Sequence, residues 1–133
     1  MAYELRDQLR KEDKVTVVTK DATYHFVPSN PWIAVGWRKR EEITVDLAPT
    51  MAKKKINFIP VAAERVHPKE NRVELVDGQS ISYDYLVIAT GPELAFDEVE
   101  GLGPHGGFTQ SVCHIDHAEK AEARRRAARV AAE

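Results

Sequence analysis

Apolar residues in this chain come in short β-branched runs separated by polar or helix-forming stretches. Val15-Thr16-Val17-Val18-Thr19 and Ile56-Asn57-Phe58-Ile59 read as core strands, short and apolar enough to be covered on both faces. Tyr3 to Lys11 predicts a helix with Tyr3, Leu5 and Leu9 for a buried side and no capping residue before them. Glu12-Asp13-Lys14 is a polar turn into the first strand. Asp46 to Lys55 predicts a second helix, capped by Asp46 with Pro49 in its first turn. Three antiparallel strands are expected next, at Val61–Val66, Arg72–Val76 and Ser80–Ile88. Lys69-Glu70-Asn71 turns the first pair, and Asp77-Gly78 is a two-residue hairpin signal for the second. The last strand is expected to leave the hairpin and enter a parallel sheet by Leu86.

Between Lys20 and Thr44 no period holds. The segment is dense in large apolar side chains (Phe26, Val27, Trp32, Ile33, Trp37) and broken by Pro28, Pro31 and Gly36, so it should pack on the core or on a ligand. Gly101 to Gly107 holds four glycines and a proline and reads as a connection. Asp116 is positioned to cap a final helix reaching about Ala132, with Glu122 able to pair with Arg125 and Arg126. The pattern is that of an α/β fold with parallel strands and a small antiparallel β-meander.

Composition narrows the classes. The 133 residues suit one small domain, and 19 basic against 21 acidic side chains give a net charge of -2, which offers no support for nucleic-acid binding. One cysteine, Cys113, excludes an internal disulfide and fits a reducing compartment; no segment resembles a signal peptide or a membrane span, so a cytoplasmic location is expected.

Three strings carry candidate chemistry. Ala89-Thr90-Gly91 ends the most apolar run, where ligands of open α/β sheets lie, although such strings also end ordinary strands. Cys113 stands among His114, Asp116 and His117. The spacing does not suit zinc, because no second ligand pair exists, and no metal is expected. A nucleophilic thiol is one reading, and a small buried hydrophobe is the simpler one. The runs Arg38-Lys39-Arg40, Lys53-Lys54-Lys55 and Arg124-Arg125-Arg126 read as solvated faces, and His25, His67 and His105 are assigned no role.

Phe26-Val27-Pro28-Ser29-Asn30-Pro31-Trp32, Tyr83 to Pro92 and Gln110 to Ala118 follow one another as in sulfide:quinone oxidoreductase, a flavoprotein with two dinucleotide-binding domains. The chain resembles that family over Met1 to about Ala121; residues 122–133 form a charged helical tail. The Ala-Thr-Gly string is common to the wider superfamily, whereas Pro-Ser-Asn-Pro-Trp and Cys-x-x-Asp-His point to the sulfide enzymes.

The resemblance implies a truncated Rossmann-like FAD-binding domain. Ala89, Thr90 and Gly91 would lie near the pyrophosphate and ribityl chain, Val61 and Ala62 near the adenine, and Lys20 and Asp21 near the adenosine ribose. Pro28, Ser29 and Asn30 would line the flavin, with Trp32 shaping the pocket. Cys113 would be one of three characteristic cysteines, and His117 a polar residue near flavin and quinone. In the family, sulfide passes two electrons to FAD and quinone reoxidises it.

Set against the family, the resemblance implies that the first strand with its Gly-x-Gly-x-x-Gly phosphate-holding loop, the second dinucleotide-binding domain and the membrane-associating C-terminal region are missing. FAD binding is therefore expected to be weak or absent, activity lost, and sheet edges left open to homo-oligomer formation. A longer form would reach the membrane peripherally. The rival readings are a non-enzymatic self-associating αβ module and a sulfide dehydrogenase flavoprotein that passes electrons to a cytochrome.

Overall fold

A computed structural model describes residues 1–102 and 111–132. Most of the predicted Gly101–Gly107 connection, with His105 and Gln110, lies outside the described residues. The rest forms two compact units. Unit 1 is residues 1–24 with 46–89, and unit 2 is residues 25–45 with 90–133.

Unit 1 is built on a parallel pair, β1 (Thr16–Val18) and β4 (Asn57–Ile59), in the register Thr16↔Asn57, Val17↔Phe58 and Val18↔Ile59. Helix α1 (Ala2–Gln8) precedes β1 and is shorter than its sequence pattern predicts. It buries no residue, so Leu5 and Leu9 face solvent instead of forming the expected apolar side. Helix α3 (Leu47–Lys53) feeds β4. Its N-cap is the predicted Asp46, whose carboxylate accepts the Ala48 N–H at 3.0 Å. Its C-terminus closes as a Schellman motif. The Ile56 N–H donates to Met51 O at 3.1 Å and the Lys55 N–H to Ala52 O at 3.0 Å, with Lys55 left-handed at φ 56°.

The meander is present as β5 (Ala63–His67), β6 (Arg72–Leu75) and β7 (Ser80–Ser82), antiparallel and in that order. Its second turn encloses three residues rather than the two expected. Leu75 and Gln79 pair around Val76-Asp77-Gly78, a type I turn followed by Gly78 at φ +84°. Val73 and Leu75 on β6 are buried, as is Ile56.

The extension of the last strand to Ile88 is not observed. β7 ends at Ser82, and residues 85–88 belong to no strand. Tyr85 is 94% exposed and Ile88 69%. A strand exists only through ladder partners for its N–H and C=O groups, and none of the described strands pairs with this run.

Unit 2 has a core of Ile33, Ile43, Ile115 and Ala118. Ile33 comes from the short helix α2 (Asn30–Ala34), which packs on α4 (Ile115–Val130) where Ala118 allows close approach. The unpatterned segment therefore packs on protein through Ser29, Asn30, Ile33 and Ile43, while Trp37 and Phe26 remain exposed. The cap of α4 differs from expectation: His114 Nδ1 accepts the Asp116 N–H at 3.3 Å, and Asp116 sits in the first turn. There it and Glu119 bind Arg40, which is thus not a merely solvated charge. Glu122 pairs with Arg125 at 3.6 Å. β2 (Thr23–His25) and β3 (Thr44–Asp46) pair with each other. Among the described residues no helix is long and apolar enough to cross a membrane.

The whole is an α/β fold of Rossmann-like type, with a parallel pair, antiparallel ladders and flanking helices.

Candidate functional site

In unit 1 the parallel register fixes one rim. Val18 pairs with Ile59 and the Thr19 N–H donates to Ile59 O at 3.2 Å. Lys20 and Asp21 therefore leave β1 at the same end at which Val61 and Ala62 follow β4. This is the carboxyl end of parallel strands, the side on which open α/β sheets take ligands. Lys20 and Asp21 are exposed and Val61 and Ala62 half-buried. The Ala62 carbonyl accepts the Val76 N–H at 3.0 Å, which ties the rim to the meander.

Ala89, Thr90 and Gly91 are exposed and do not end a strand. Gly91 holds φ +74°, a conformation that L side chains rarely adopt, and the space a Cβ would enter is open. Gly101, Gly103 and Gly106 have the literal spacing of a phosphate loop, but they follow a 3-10 turn rather than a strand, and 103–106 lie outside the described residues.

In unit 2 a second group assembles around residues 111–113. Pro28 and Ser29 form a 3-10 turn leading into α2, and Asn30 is the first residue of that helix. Asn30 is 0% exposed. Its Nδ2 donates to Val112 O at 2.8 Å, and its Oδ1 has no hydrogen-bond partner. The buried Ser111 makes a side-chain turn by accepting the Cys113 N–H at 3.2 Å, and its Oγ lies 3.5 Å from His117 Nδ1. That hydroxyl has one proton and two lone pairs, so it can serve either tautomer of a neutral ring. His117 is buried and packs edge-on against Phe96, ring centroids 4.6 Å apart.

The electrostatics agree. Burial holds the His117 pKa below its ordinary value, and the neighbouring His114 and Lys120 push the same way against Asp116. Desolvation pushes the Asp116 carboxyl up, but the hydrogen bond and charge of Arg40, with His114 and Lys120 beyond, outweigh it and the pKa falls. Cys113 is exposed, so the buried-hydrophobe reading of the sequence is overturned.

The structure thus brings Asn30, Cys113 and His117 around one short segment. Lys20, Asp21, Val61 and Ala62 share a rim in the other unit. Sequence reading missed Ser111 and Arg40. A serine two residues before Cys113 was the available signal for the first. Arg40 had none, since its partners lie at least 76 residues away.

No protein-family model matches the chain. It is homologous to sulfide:quinone oxidoreductases. It is 43% identical to the sulfide-quinone reductase of Aquifex aeolicus over 117 residues, which is 88% of this chain and 26% of that protein. It is 33% identical over 93 residues to the epsilon subunit of the NADH-dependent phenylglyoxylate dehydrogenase of Aromatoleum evansii, 68% of this chain and 22% of that one. The crystal structure of the Aquifex aeolicus sulfide:quinone oxidoreductase superposes with TM-score 0.80 at 38% identity, over 94% of this chain and 28% of that one. An NDH2 structure from Plasmodium falciparum in complex with NADH, 20% identical with TM-score 0.68, covers 90% of this chain and 25% of its own and shares the fold. The chain spans about a quarter of the length of the curated relatives it matches.

Proposed function

We propose that this chain, homologous to a part of the sulfide:quinone oxidoreductases, contributes one FAD-contacting region of such an enzyme. The observation that carries the reading is 43% identity to one of them across 88% of the chain. Sulfide as electron donor and quinone as acceptor belong to the same proposal.

The residues present suit a flavin dinucleotide in three places. The carboxyl rim after β1 and β4 offers Lys20, Asp21 and the backbone of Val61 and Ala62 to an adenosine. The left-handed backbone at Gly91, unobstructed on its Cβ side, suits close approach by a ligand. Asn30 Oδ1 is a buried acceptor suited to a donor on a bound ring.

FAD would supply the two-electron chemistry, and the chain's side chains position and tune it. Asn30 fixes the Val112 carbonyl and thereby residues 111–113. Ser111 holds the Cys113 N–H and the His117 ring, and the exposed Cys113 thiol is accessible to a sulfur donor. His117, neutral and buried, acts as a hydrogen-bonding group rather than a cation.

Among the described residues no helix starts from a glycine-rich loop, the feature that grips a pyrophosphate, so the 133-residue chain alone should bind FAD weakly and be inactive. A fluorescence titration tests this. The expected dissociation constant for FAD is above about 1 µM, and weaker still for Gly91→Val. Submicromolar affinity, or an affinity indifferent to Gly91→Val, would contradict it.

A second reading rests on the exposed run 85–88. As a non-enzymatic module, the chain would self-associate by pairing this apolar segment with a strand of another copy. Concentration-dependent sedimentation abolished by Val87→Lys would favour it.

A further inference from the structure

The opposite end of the β1–β4 pair carries an arrangement that the flavin reading leaves unused. A groove of about 750 Å³ opens where the two strands begin, lined by residues from α1, from the turn before β1 and from the end of α3. Five basic side chains reach it, Arg6, Lys11, Lys14, Lys54 and Lys55, against only two acids, Asp7 and Asp13.

Both acids are already engaged. Lys54 Nζ contacts both Asp7 carboxylate oxygens at 3.0 Å, and Arg10 binds Asp13 through Nη2 at 2.8 Å and Nε at 3.1 Å. Arg6 spends its guanidinium on the carbonyls of Leu9, Arg10 and Asp13. Lys11, Lys14 and Lys55 have no acidic partner among the described residues. Lys14 and Lys55 stand two residues ahead of the paired Thr16 and Asn57, on neighbouring segments leading into the two strands, which places like charges at the same end of the pair. Thr16 and Asn57, whose side chains meet at 3.5 Å, give the groove neutral hydrogen-bonding groups.

Lys55 adds a separate observation. It occupies the left-handed residue after α3, at φ 56°, where glycine or asparagine is the ordinary choice. A lysine there carries backbone strain that glycine would relieve, and it places a cationic residue in the lining of the groove.

We propose that this rim is a binding site for a small soluble oligophosphate, held by the ammonium groups of Lys11, Lys14 and Lys55. Lysine acts on phosphate oxygens as a point charge with three donors, and a multivalent anion would be attracted to all three lysines. The site is independent of the flavin proposal, because it lies at the amino ends of the strands and uses none of the same residues.

Calorimetric titration of the 133-residue protein with sodium pyrophosphate at low ionic strength tests it. The expected result is saturable binding that weakens as sodium chloride is added. Lys14→Gln and Lys55→Gly should each raise the dissociation constant about fivefold, the upper range for one exposed charge contact. Lys55→Gly should do so with an unchanged or higher melting temperature, which separates lost binding from lost folding. FAD titration of both variants should match the wild type. Absence of saturation by pyrophosphate, or equal affinity in the two variants and the wild type, would overturn the proposal. So would lysine-dependent capture by phosphatidylglycerol vesicles without pyrophosphate binding.

Discussion

Replacing Asn30 by Asp probes the buried contact on which the arrangement around Cys113 depends. The two side chains have the same shape, but the exchange removes the amide donor that meets Val112 O at 2.8 Å and puts a titratable oxygen at a site with 0% exposure. Ionised, the carboxylate would be desolvated and face a carbonyl oxygen. Protonated, its O–H can restore the lost bond. Both effects favour the neutral acid, so its folded pKa should rise by about 3 units above its ordinary value of about 3.9. A carboxyl whose folded pKa is raised leaves the unfolded chain holding fewer protons across the window between the two values. Stability is then lost as pH rises through that window, at about 1.4 kcal/mol per unit. From about pH 4 to pH 7 the variant should thus lose about 3 kcal/mol relative to wild type. Urea unfolding of both proteins at several pH values measures it, and taking the difference cancels groups such as His117 that titrate in both. A difference constant across this range would refute burial of Asn30 against Val112.

Ile33→Ala removes a side chain from the core shared by α2 and α4 and should cost about 2–5 kcal/mol in a denaturant melt. Gly91→Ala should cost about 1–2 kcal/mol through its left-handed backbone alone, since no neighbour crowds the added methyl, and calorimetry would detect it. Cys113 should react fully with a thiol reagent in native buffer, at a rate that denaturant raises little. His117 is held neutral, so the unfolded chain binds more protons below its ordinary value. Stability should therefore fall as pH drops below about 6.5, and His117→Gln should flatten that slope.

Local rules carried much of the fold. The β-branched runs became β1 and β4, Asp46 capped α3, and the Asp-Gly turn joined β6 to β7, because each depends on neighbours close in sequence. The three-residue loop there was harder to foresee, since its length follows from the Leu75–Gln79 pairing rather than from the dipeptide. Residues 86–88 read as the best core strand and are exposed, because an apolar run specifies burial only where a ladder and a covering layer exist. Of the candidate site, Asn30, Cys113 and His117 stood out by resemblance. What binds them together was invisible, as the Asn30–Val112 bond spans 82 residues and the Arg40 pairs 76 and 79. The cap of α4 went to His114 rather than Asp116, whose carboxylate Arg40 claims from a distant segment.

Amide chemical shifts recorded while FAD is added to the 15N-labelled chain test the central claim most directly. The account predicts progressive, saturating shifts at Lys20, Asp21, Val61 and Ala62 on the carboxyl rim of β1 and β4 and at Gly91. Shifts confined to the opposite end of that pair, around Thr16 and Asn57, or none at millimolar FAD, would contradict it.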